Sequence, residues 1–178
     1  MEKRLAFPHG RTLLAVRLAY VAPVVALLVV ALAVLPPLPP APLAAVVAVV
    51  AAYIVLFGLS PLGTEHWLTR SRLILRQGLY FRAIVPIAEI ETIEPAEIHI
   101  LRVPLGIHRP LSQPALFVTG GRSGLIRIRL VAPRRFWQAF GLLAREIVFD
   151  VDDPRRFMDA FEERRRLFAP VEPDRSDA

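Results

Sequence analysis

The stretch LAYVAPVVALLVVALAVLPPLPPAPLAAVVAVVAAYIVLFGL, which runs from Leu18 to Leu59, has 42 residues and contains no Asp, Glu, Lys, Arg or His. An apolar helix needs about 20 residues to cross the hydrocarbon core of a bilayer. Residues 12–35 and 41–59 are each long enough, and five prolines within residues 36–42 prevent one continuous helix. The stretch therefore predicts a transmembrane hairpin, residues 12–60, with a proline-rich turn at 36–42.

The basic residues around this stretch predict its orientation. They lie before or at the start of the first span and after the second, and none lies in the turn: Lys3, Arg4, Arg11 and Arg17, then Arg70, Arg72 and Arg76. Because Lys and Arg resist translocation, both termini are expected in the cytoplasm. Arg17 would lie in the second turn of the first helix, with its guanidinium reaching back to the headgroups. The sequence thus predicts a multi-pass protein of the cell membrane with a cytoplasmic segment at residues 1–11.

The apolar stretch has two other interpretations besides the hairpin. Residues 1–33 could be a cleaved signal peptide, because Lys3 and Arg4 precede an apolar run that ends in Ala31-Leu32-Ala33. That run is longer than the usual apolar core of about 7–15 residues, and a second apolar segment follows it. A buried helical pair in a soluble protein would show a polar stripe on each helix, and the sequence has none.

Charged residues return after Ser60, and residues 61–170 are predicted to form one cytoplasmic α+β domain. Short apolar or alternating runs bounded by Gly, Pro and Ser predict seven strands: Glu65–Thr69, Arg72–Gln77, Leu79–Val85, Glu97–Val103, Ala115–Thr119, Leu125–Leu130 and Glu146–Val151. Gly120–Gly124 is typical of a hairpin turn between the fifth and sixth of these strands. Seven strands and one terminal helix predict a small barrel or sandwich covered by that helix.

The terminal helix has clear start signals. Asp152 or Asp153 can cap its N-terminus, and Pro154 suits the first helical position. The residues that share one side of this helix are Phe157, Ala160, Phe161, Arg164 and Phe168. This side is expected to face the domain core, and residues 171–178 are predicted to be a disordered tail.

The segment LTRSRLILRQGLYFR (Leu68–Arg82), followed by VPIAEI (Val85–Ile90) and by Ile93-Glu94, resembles the bacterial pleckstrin-homology (PH)-like domains of small membrane proteins. In those families paired transmembrane helices precede a strand–turn–strand element of similar sequence. A late strand then leads into a terminal helix, as Ile147–Phe168 does in this chain.

The resemblance covers residues 10–95 and, by pattern, residues 146–168. Residues 104–144 depart from it, and Arg134–Arg145 has the character of an insertion. The matching residues belong to strands and turns, so they bear on fold and anchoring. The resemblance implies a membrane-tethered binding or scaffold domain with a PH-like fold, and not an enzyme.

No set of residues in the sequence predicts catalysis or a cofactor. Cysteine is absent, and Gly120–Gly124 lacks the Gly-Lys-Ser/Thr ending of a phosphate loop. Glu97 and His99 would share one face of a strand and His108 lies a loop away, whereas a metal site needs three or four converging ligands. The chain is therefore expected to be no enzyme and to hold no metal. A metal-dependent enzyme that uses His99 and His108 is the distant alternative.

Several arginines and aromatic residues are candidates for contact with the lipid headgroups: Arg17, Arg70, Arg72, Arg76, Arg134, Arg135, Phe136, Trp137 and Arg145. Within Arg134–Arg145, large aromatic residues lie among flanking arginines, a mixture that suits the boundary of an anionic leaflet. The alternative for this segment is an ordinary loop or helix that covers the domain core.

Together these patterns predict a membrane-anchored, non-enzymatic interaction or scaffold module at the cytoplasmic face of the membrane. Its expected partners are the lipid bilayer and either other membrane proteins or a second copy of the chain. Recognition of anionic lipid headgroups by the arginines is the alternative. The net charge of +6 suits the anionic face of a membrane. It is too dispersed to indicate nucleic-acid binding, and nothing indicates a small-molecule substrate.

Overall fold

The computed structural model describes residues 4–34, 36–99, 102–110, 115–136 and 141–167. Its first large feature is a pair of apolar helices. Helix α1 spans Leu13–Val34, and α2 spans Pro40–Tyr53 and continues through a π-helical turn, Ile54–Leu59, and a 3₁₀ turn, Ser60–Gly63. The mean hydropathy is 2.4 for α1 and 2.6 for Pro40–Gly63, and both helices are long and apolar enough to cross a membrane. The two predicted helices are thus confirmed as long apolar helices.

The start of α1 packs against the end of the α2 helix. Gly58 is buried there, and a Cβ atom at this position would lie 2.6 Å from Cγ2 of Val21. A small residue at such a point lets two helices approach closely. Arg17 of α1 adds a polar contact at the same level, because its Nη1 donates to the carbonyl oxygen of Phe57 at 3.2 Å.

Nine strands in two sheets make up the rest of the described fold, together with one helix. The strands are β1 (Leu5–Pro8), β2 (Glu65–Leu68), β3 (Arg72–Gln77), β4 (Phe81–Pro86), β5 (Ile90–Pro95), β6 (Gly106–His108), β7 (Ala115–Thr119), β8 (Leu125–Phe136) and β9 (Leu142–Asp150). The first sheet has the order β1-β2-β3-β4, and the second has the order β5-β8-β9-β7-β6.

The first strand comes from the chain before the apolar helices. Leu5–Pro8 pairs antiparallel with β2, so that Ala6 lies opposite Trp67 and Pro8 opposite Glu65. No sequence pattern in residues 1–11 predicts this strand. Because β1 and β2 flank the helical hairpin in the chain, both ends of the hairpin enter the same sheet.

The second sheet differs from the predicted topology. Ala115–Thr119 and Leu125–Leu130 were expected to form a hairpin around Gly120–Gly124, but β9 lies between β7 and β8, parallel to β7 and antiparallel to β8. The glycine-rich loop therefore crosses over the end of β9, which explains why it is longer than a tight hairpin turn.

The expected class, α+β, is confirmed. The expected seven-stranded barrel or sandwich is not confirmed, because the described residues form nine strands in two sheets that are not closed into a barrel. The sheets are open, with β1 and β4 as the edges of one and β5 and β6 as the edges of the other. The predicted strand Glu97–Val103 is wrong in its described part, since residues 97–99 are irregular and the strand lies earlier, at Ile90–Pro95. Its central residues 100–101 lie outside the described ranges.

The predicted terminal helix is present as α3, Pro154–Arg166, and Asp153 is its cap, because its side chain accepts a hydrogen bond from the amide of Arg156. Phe157 and Phe161 are buried. The ring of Phe157 packs edge-on against Phe7 of β1 at 4.8 Å and against Phe149 of β9 at 5.3 Å. The helix therefore covers a core that both sheets and the N-terminal strand share.

We predict that Gly10→Ala lowers the free energy of unfolding by about 1–3 kcal/mol. A Cβ at Gly10 would lie 2.2 Å from the backbone oxygen of Ser123, and a backbone atom cannot move aside as a side chain can. Thermal unfolding of the detergent-solubilised protein measures the effect. Gly63→Ala is the matched control, because no heavy atom lies within 4 Å of its added Cβ. Equal unfolding temperatures for the two variants would contradict the packing described.

Candidate functional site at the junction of hairpin and domain

The carboxylate of Asp150, at the end of β9, joins three segments of the chain. Its Oδ2 accepts hydrogen bonds from the amides of Gly10 and Gly121, both at 2.8 Å. Its Oδ1 accepts from the amide of Gly120 at 2.6 Å and lies 3.4 Å from Nδ1 of His9. The side chains of Asp150 and His9 have no solvent-exposed surface. The two oxygens thus have four donors between them, which is about the number that a carboxylate can accept.

Two buried imidazoles accompany this carboxylate. The rings of His9 and His66 lie 4.5 Å apart in an edge-to-face arrangement. Nδ1 of His66 accepts a hydrogen bond from the amide of Arg76 at 3.1 Å, so the proton of the neutral ring is on Nε2. The Nε2 atom of His9 is buried and has no hydrogen-bond partner within the described residues. We call His9, His66 and Asp150 the junction cluster.

Burial and mutual charge set the protonation of the cluster. Burial is the main reason that the pKa of His66 falls to about 3, and the neighbouring His9 lowers it further while Asp150 raises it. Burial alone would raise the pKa of Asp150, but the hydrogen bond and charge of His9, the charge of His66 and the Gly120 amide lower it to about 2. At neutral pH the cluster therefore holds an ionised carboxylate beside a neutral His66.

The junction cluster fits a structural role better than a metal or catalytic one. Its three potential ligand atoms lie within 4.8 Å of one another, whereas the ligands of a tetrahedral zinc lie about 3.3 Å apart. A metal would also have to displace amide donors from a carboxylate that is already fully hydrogen-bonded. Two cavities lie beside α1, of about 450 and 400 Å³, and no residue of the cluster lines either of them. The cluster instead fastens the chain that enters α1 to the domain.

Further contacts strengthen the same connection. The amide of Asp152 donates to the carbonyl of Pro8 at 2.9 Å, and Arg11 forms an ion pair with Asp152 at 2.9 Å. The hydroxyl of Thr12 accepts a hydrogen bond from the amide of Arg122 at 2.6 Å. Residues 8–12 are thus held along their length by the end of β9 and by the loop between β7 and β8.

A cavity of about 450 Å³ lies beside the start of α1. Its walls come from α1, the end of the α2 helix, the turn between β3 and β4, and the segment before and within β6: Arg17, Tyr20, Val21, Tyr53, Phe57, Gly58, Tyr80, Leu105, Gly106 and Ile107. Only 7% of Arg17 is exposed. Of the candidate headgroup-contacting residues, Arg17 is thus the one that is buried at the base of a helix of the hairpin.

Two other candidate arginines lie on the strands of the second sheet and are paired with acids. Arg134 forms an ion pair with Glu89 at 2.8 Å. Arg145 lies 3.5 Å from Glu91. Arg127 and Arg129 pair with Glu94 and Glu91 in the same way, at 3.4 and 3.7 Å. The glutamates of β5 and the turn before it therefore offset much of the positive charge on this face.

The other candidates are dispersed over the domain. Arg76 lies over the ring of Trp67 at 4.3 Å, and Arg70 and Arg72 lie at and just after the turn that joins β2 to β3. Arg135 is exposed on β8, and Phe136 is buried at its end. Trp137 lies outside the described residues. The segment Arg134–Arg145 contains the outer ends of β8 and β9, which pair from Arg134–Ala144 to Phe136–Leu142.

The histidines weighed in the sequence analysis are not those that come together. His99 and Glu97 are exposed and outside regular structure, and His108 is exposed on β6. Within the described ranges, His9, His66 and Asp150 are the only group of three or more such side chains close enough to share an ion. His9 and Asp150 are 141 positions apart, so no local spacing could have indicated them. The sequence offered one weak signal, a His-Gly pair just before an apolar helix.

Comparisons with known proteins identify no relative, since no family model, no curated protein and no solved structure matches the chain.

We predict that His66 makes the fold less stable in mild acid. The unfolded chain takes up a proton on His66 near its ordinary pKa of 6.5, but the folded chain does so only near pH 3. Between these values acid favours the unfolded state, by at most about 1.4 kcal/mol per pH unit for one proton. Asp150 stays ionised throughout this range, because its pKa of about 2 lies below it.

Denaturant unfolding of the detergent-solubilised protein at several pH values between about 7 and 4 measures this dependence. His66→Gln should flatten the loss of stability with falling pH, since glutamine does not titrate. His108→Gln removes an exposed histidine from β6 and should leave the slope as it is. An unchanged slope in His66→Gln would contradict the assignment.

Proposed function

We propose that the chain is a membrane-anchored, non-enzymatic interaction module that displays its α+β domain at the cytoplasmic face of the membrane. The pairing of β1 with β2 is the observation that carries this proposal. The strand before the apolar hairpin pairs with the strand after it in one sheet. If the hairpin crosses the bilayer, both strands and their domain therefore lie on the same side. The basic residues around the hairpin favour the cytoplasmic side.

The contacts between hairpin and domain favour a domain that is held rigidly against the hairpin over one that hangs from a flexible linker. Residues 8–12 lead into α1 without a linker, and Asp150 binds the amide of Gly10. On the other side, the amide of Leu79 donates to the hydroxyl of Ser60 at 3.2 Å, and that of Gly78 to the hydroxyl of Thr64 at 3.0 Å. Such a domain would hold its surfaces at a set height above the bilayer and raise the local concentration of membrane-bound partners.

The outer parts of β8 and β9 offer the surface that best suits a protein partner. Val131 and Leu143 are 60% and 47% exposed on this ribbon. Exposed apolar residues on a ribbon, next to unpaired sheet edges such as β5, are typical of interaction surfaces. The resemblance to PH-like domains implies binding in the same way, so a second copy of the chain or another membrane protein is the proposed partner.

The topology is testable because the chain has no cysteine. We predict that Leu38→Cys, in the turn between the spans, reacts with a membrane-impermeant maleimide in right-side-out vesicles, whereas Glu163→Cys on α3 reacts only in inverted vesicles. Alkaline carbonate should leave both variants in the membrane pellet. Labelling of both cysteines from the same side, or release by carbonate, would contradict the proposal.

The interaction surface is tested by a photo-crosslinking amino acid placed at Val131 or Leu143 in the full-length protein in native membranes. We expect adducts in which mass spectrometry finds a second copy of this chain or another membrane protein. The same group at Glu163, which is exposed on α3, is the control and should give no such adduct. Equal adducts at all three positions, or none at Val131 and Leu143, would contradict the assigned surface.

A further inference from the structure

Arg17 carries a buried positive charge that the protein itself does not neutralise. Its Nη1 donates to the carbonyl of Phe57, and the guanidinium also interacts with the hydroxyl of Tyr80, while Nε and Nη2 are buried and make no hydrogen bond of good geometry among the described residues. None of the ion pairs formed by the described residues includes Arg17. Burying an unpaired charge is costly, so the site favours an anion that supplies the missing acceptors.

The cavity that Arg17 lines is suited to receive such an anion. All three tyrosines of the protein, Tyr20, Tyr53 and Tyr80, line it. Burial raises the pKa of the Tyr80 phenol more than the charge and the hydrogen bond of Arg17 lower it, so this phenol stays protonated and can donate a hydrogen bond. A guanidinium fork with nearby hydroxyl donors is the chemistry that binds phosphate oxygens.

In a chain anchored by α1, the cavity would lie near the headgroup layer. Arg17 is four residues after Leu13, the first residue of α1, which places it about 6 Å along the helix at 1.5 Å per residue. Tyrosines at this level are typical of the membrane–water boundary. The cavity therefore lies where a phospholipid of the adjacent leaflet carries its phosphate.

We propose that this space, the Arg17 cavity, binds the phosphate group of an anionic phospholipid, with Arg17 as the residue that recognises the charge. The apolar walls favour a lipid over free phosphate, because Val21, Phe57 and Ile107 offer an aqueous ion no hydrogen bonds. The exposed apolar surface of α1 beyond the cavity, which includes Val25, Leu27 and Leu32, can pack against acyl chains.

A neighbouring cavity of about 400 Å³ extends the site along α1. It shares Tyr20 and Leu105 with the Arg17 cavity and is lined by Arg122, whose Nε is also buried without a hydrogen-bond partner in the described chain. A headgroup in the Arg17 cavity thus has a second cation on the other side of Tyr20. Both cations favour a lipid with net negative charge over a zwitterionic one.

The proposal that a lipid occupies the Arg17 cavity rests on the proposed membrane anchoring. The anchoring and the lipid site are nevertheless tested by different measurements. Anchoring is tested by carbonate extraction and cysteine labelling, which do not depend on lipid identity. The site is tested by lipid selectivity in detergent, where no bilayer is present.

The test is native mass spectrometry of the purified full-length protein with added phosphatidylglycerol or phosphatidylcholine. We expect one phosphatidylglycerol to bind preferentially, and Arg17→Gln to weaken its binding roughly 10- to 100-fold, the loss expected for a charged hydrogen bond. Arg17→Lys should recover only part of the affinity, because lysine lacks the guanidinium fork. Arg155→Gln removes the same charge from an exposed position on α3 and should have no effect.

The shift in unfolding temperature caused by lipid distinguishes a variant that has lost the lipid site from one that has failed to fold. Phosphatidylglycerol should raise the unfolding temperature of the wild type and not that of Arg17→Gln, which should otherwise fold well because it loses an unpaired buried charge. Ile107→Trp, which fills the cavity from β6, should abolish lipid binding with Arg17 intact. Equal phosphatidylglycerol binding by wild type and Arg17→Gln, or displacement of the lipid by excess inorganic phosphate, would overturn the proposal.

Discussion

The carboxylate of Asp150 is the contact on which the arrangement of hairpin and domain depends. It is fully buried and ionised, and it keeps its charge only because donors from two distant segments converge on it: His9 and Gly10 before α1, and Gly120 and Gly121 between β7 and β8. A buried carboxylate without such donors would be strongly destabilising. The chain that enters α1 and the loop that crosses the end of β9 are therefore fixed by the same two oxygens. Glycine is required at position 10, where a Cβ atom would lie 2.2 Å from the backbone oxygen of Ser123.

Much of the architecture follows from local sequence patterns. The apolar helices, the strands β2, β3, β4, β7 and β8, and the capped helix α3 each have a periodicity or a start signal within their own residues. The remainder depends on contacts between residues far apart in the chain. Strand β1 has four residues and ends in Pro8, so only its partner β2 defines it. The position of β9 between β7 and β8 is likewise set by pairing across the sheet, and not by the glycine-rich loop that suggested a hairpin.

The same distinction applies to the arginines. The sequence could indicate a basic face but could not show which charges are offset, because the acids that pair with Arg134 and Arg145 lie far away in the chain, in β5 and in the turn before it. In the sequence, Arg17 is one of several basic residues whose positions predict the orientation of the hairpin. Its distinctive property, burial without an ion-pair partner, arises only where α1, the end of the α2 helix and the segment around Gly106 meet. Anchoring and lipid recognition would then share one junction, since the contacts that fix residues 8–12 also place the first turns of α1 against the domain.

The attachment of the N-terminal strand by Asp150 is tested most directly by disulfide formation in native membranes. Residues 6 and 67 lie opposite each other in β1 and β2, at a separation that a disulfide spans in antiparallel strands. With Asp150 present, the Ala6→Cys/Trp67→Cys pair should crosslink rapidly on mild oxidation, and with Asp150→Ala it should crosslink much more slowly. Failure of the pair to crosslink with Asp150 present, or equally rapid crosslinking without it, would show that this carboxylate does not hold the hairpin to the domain.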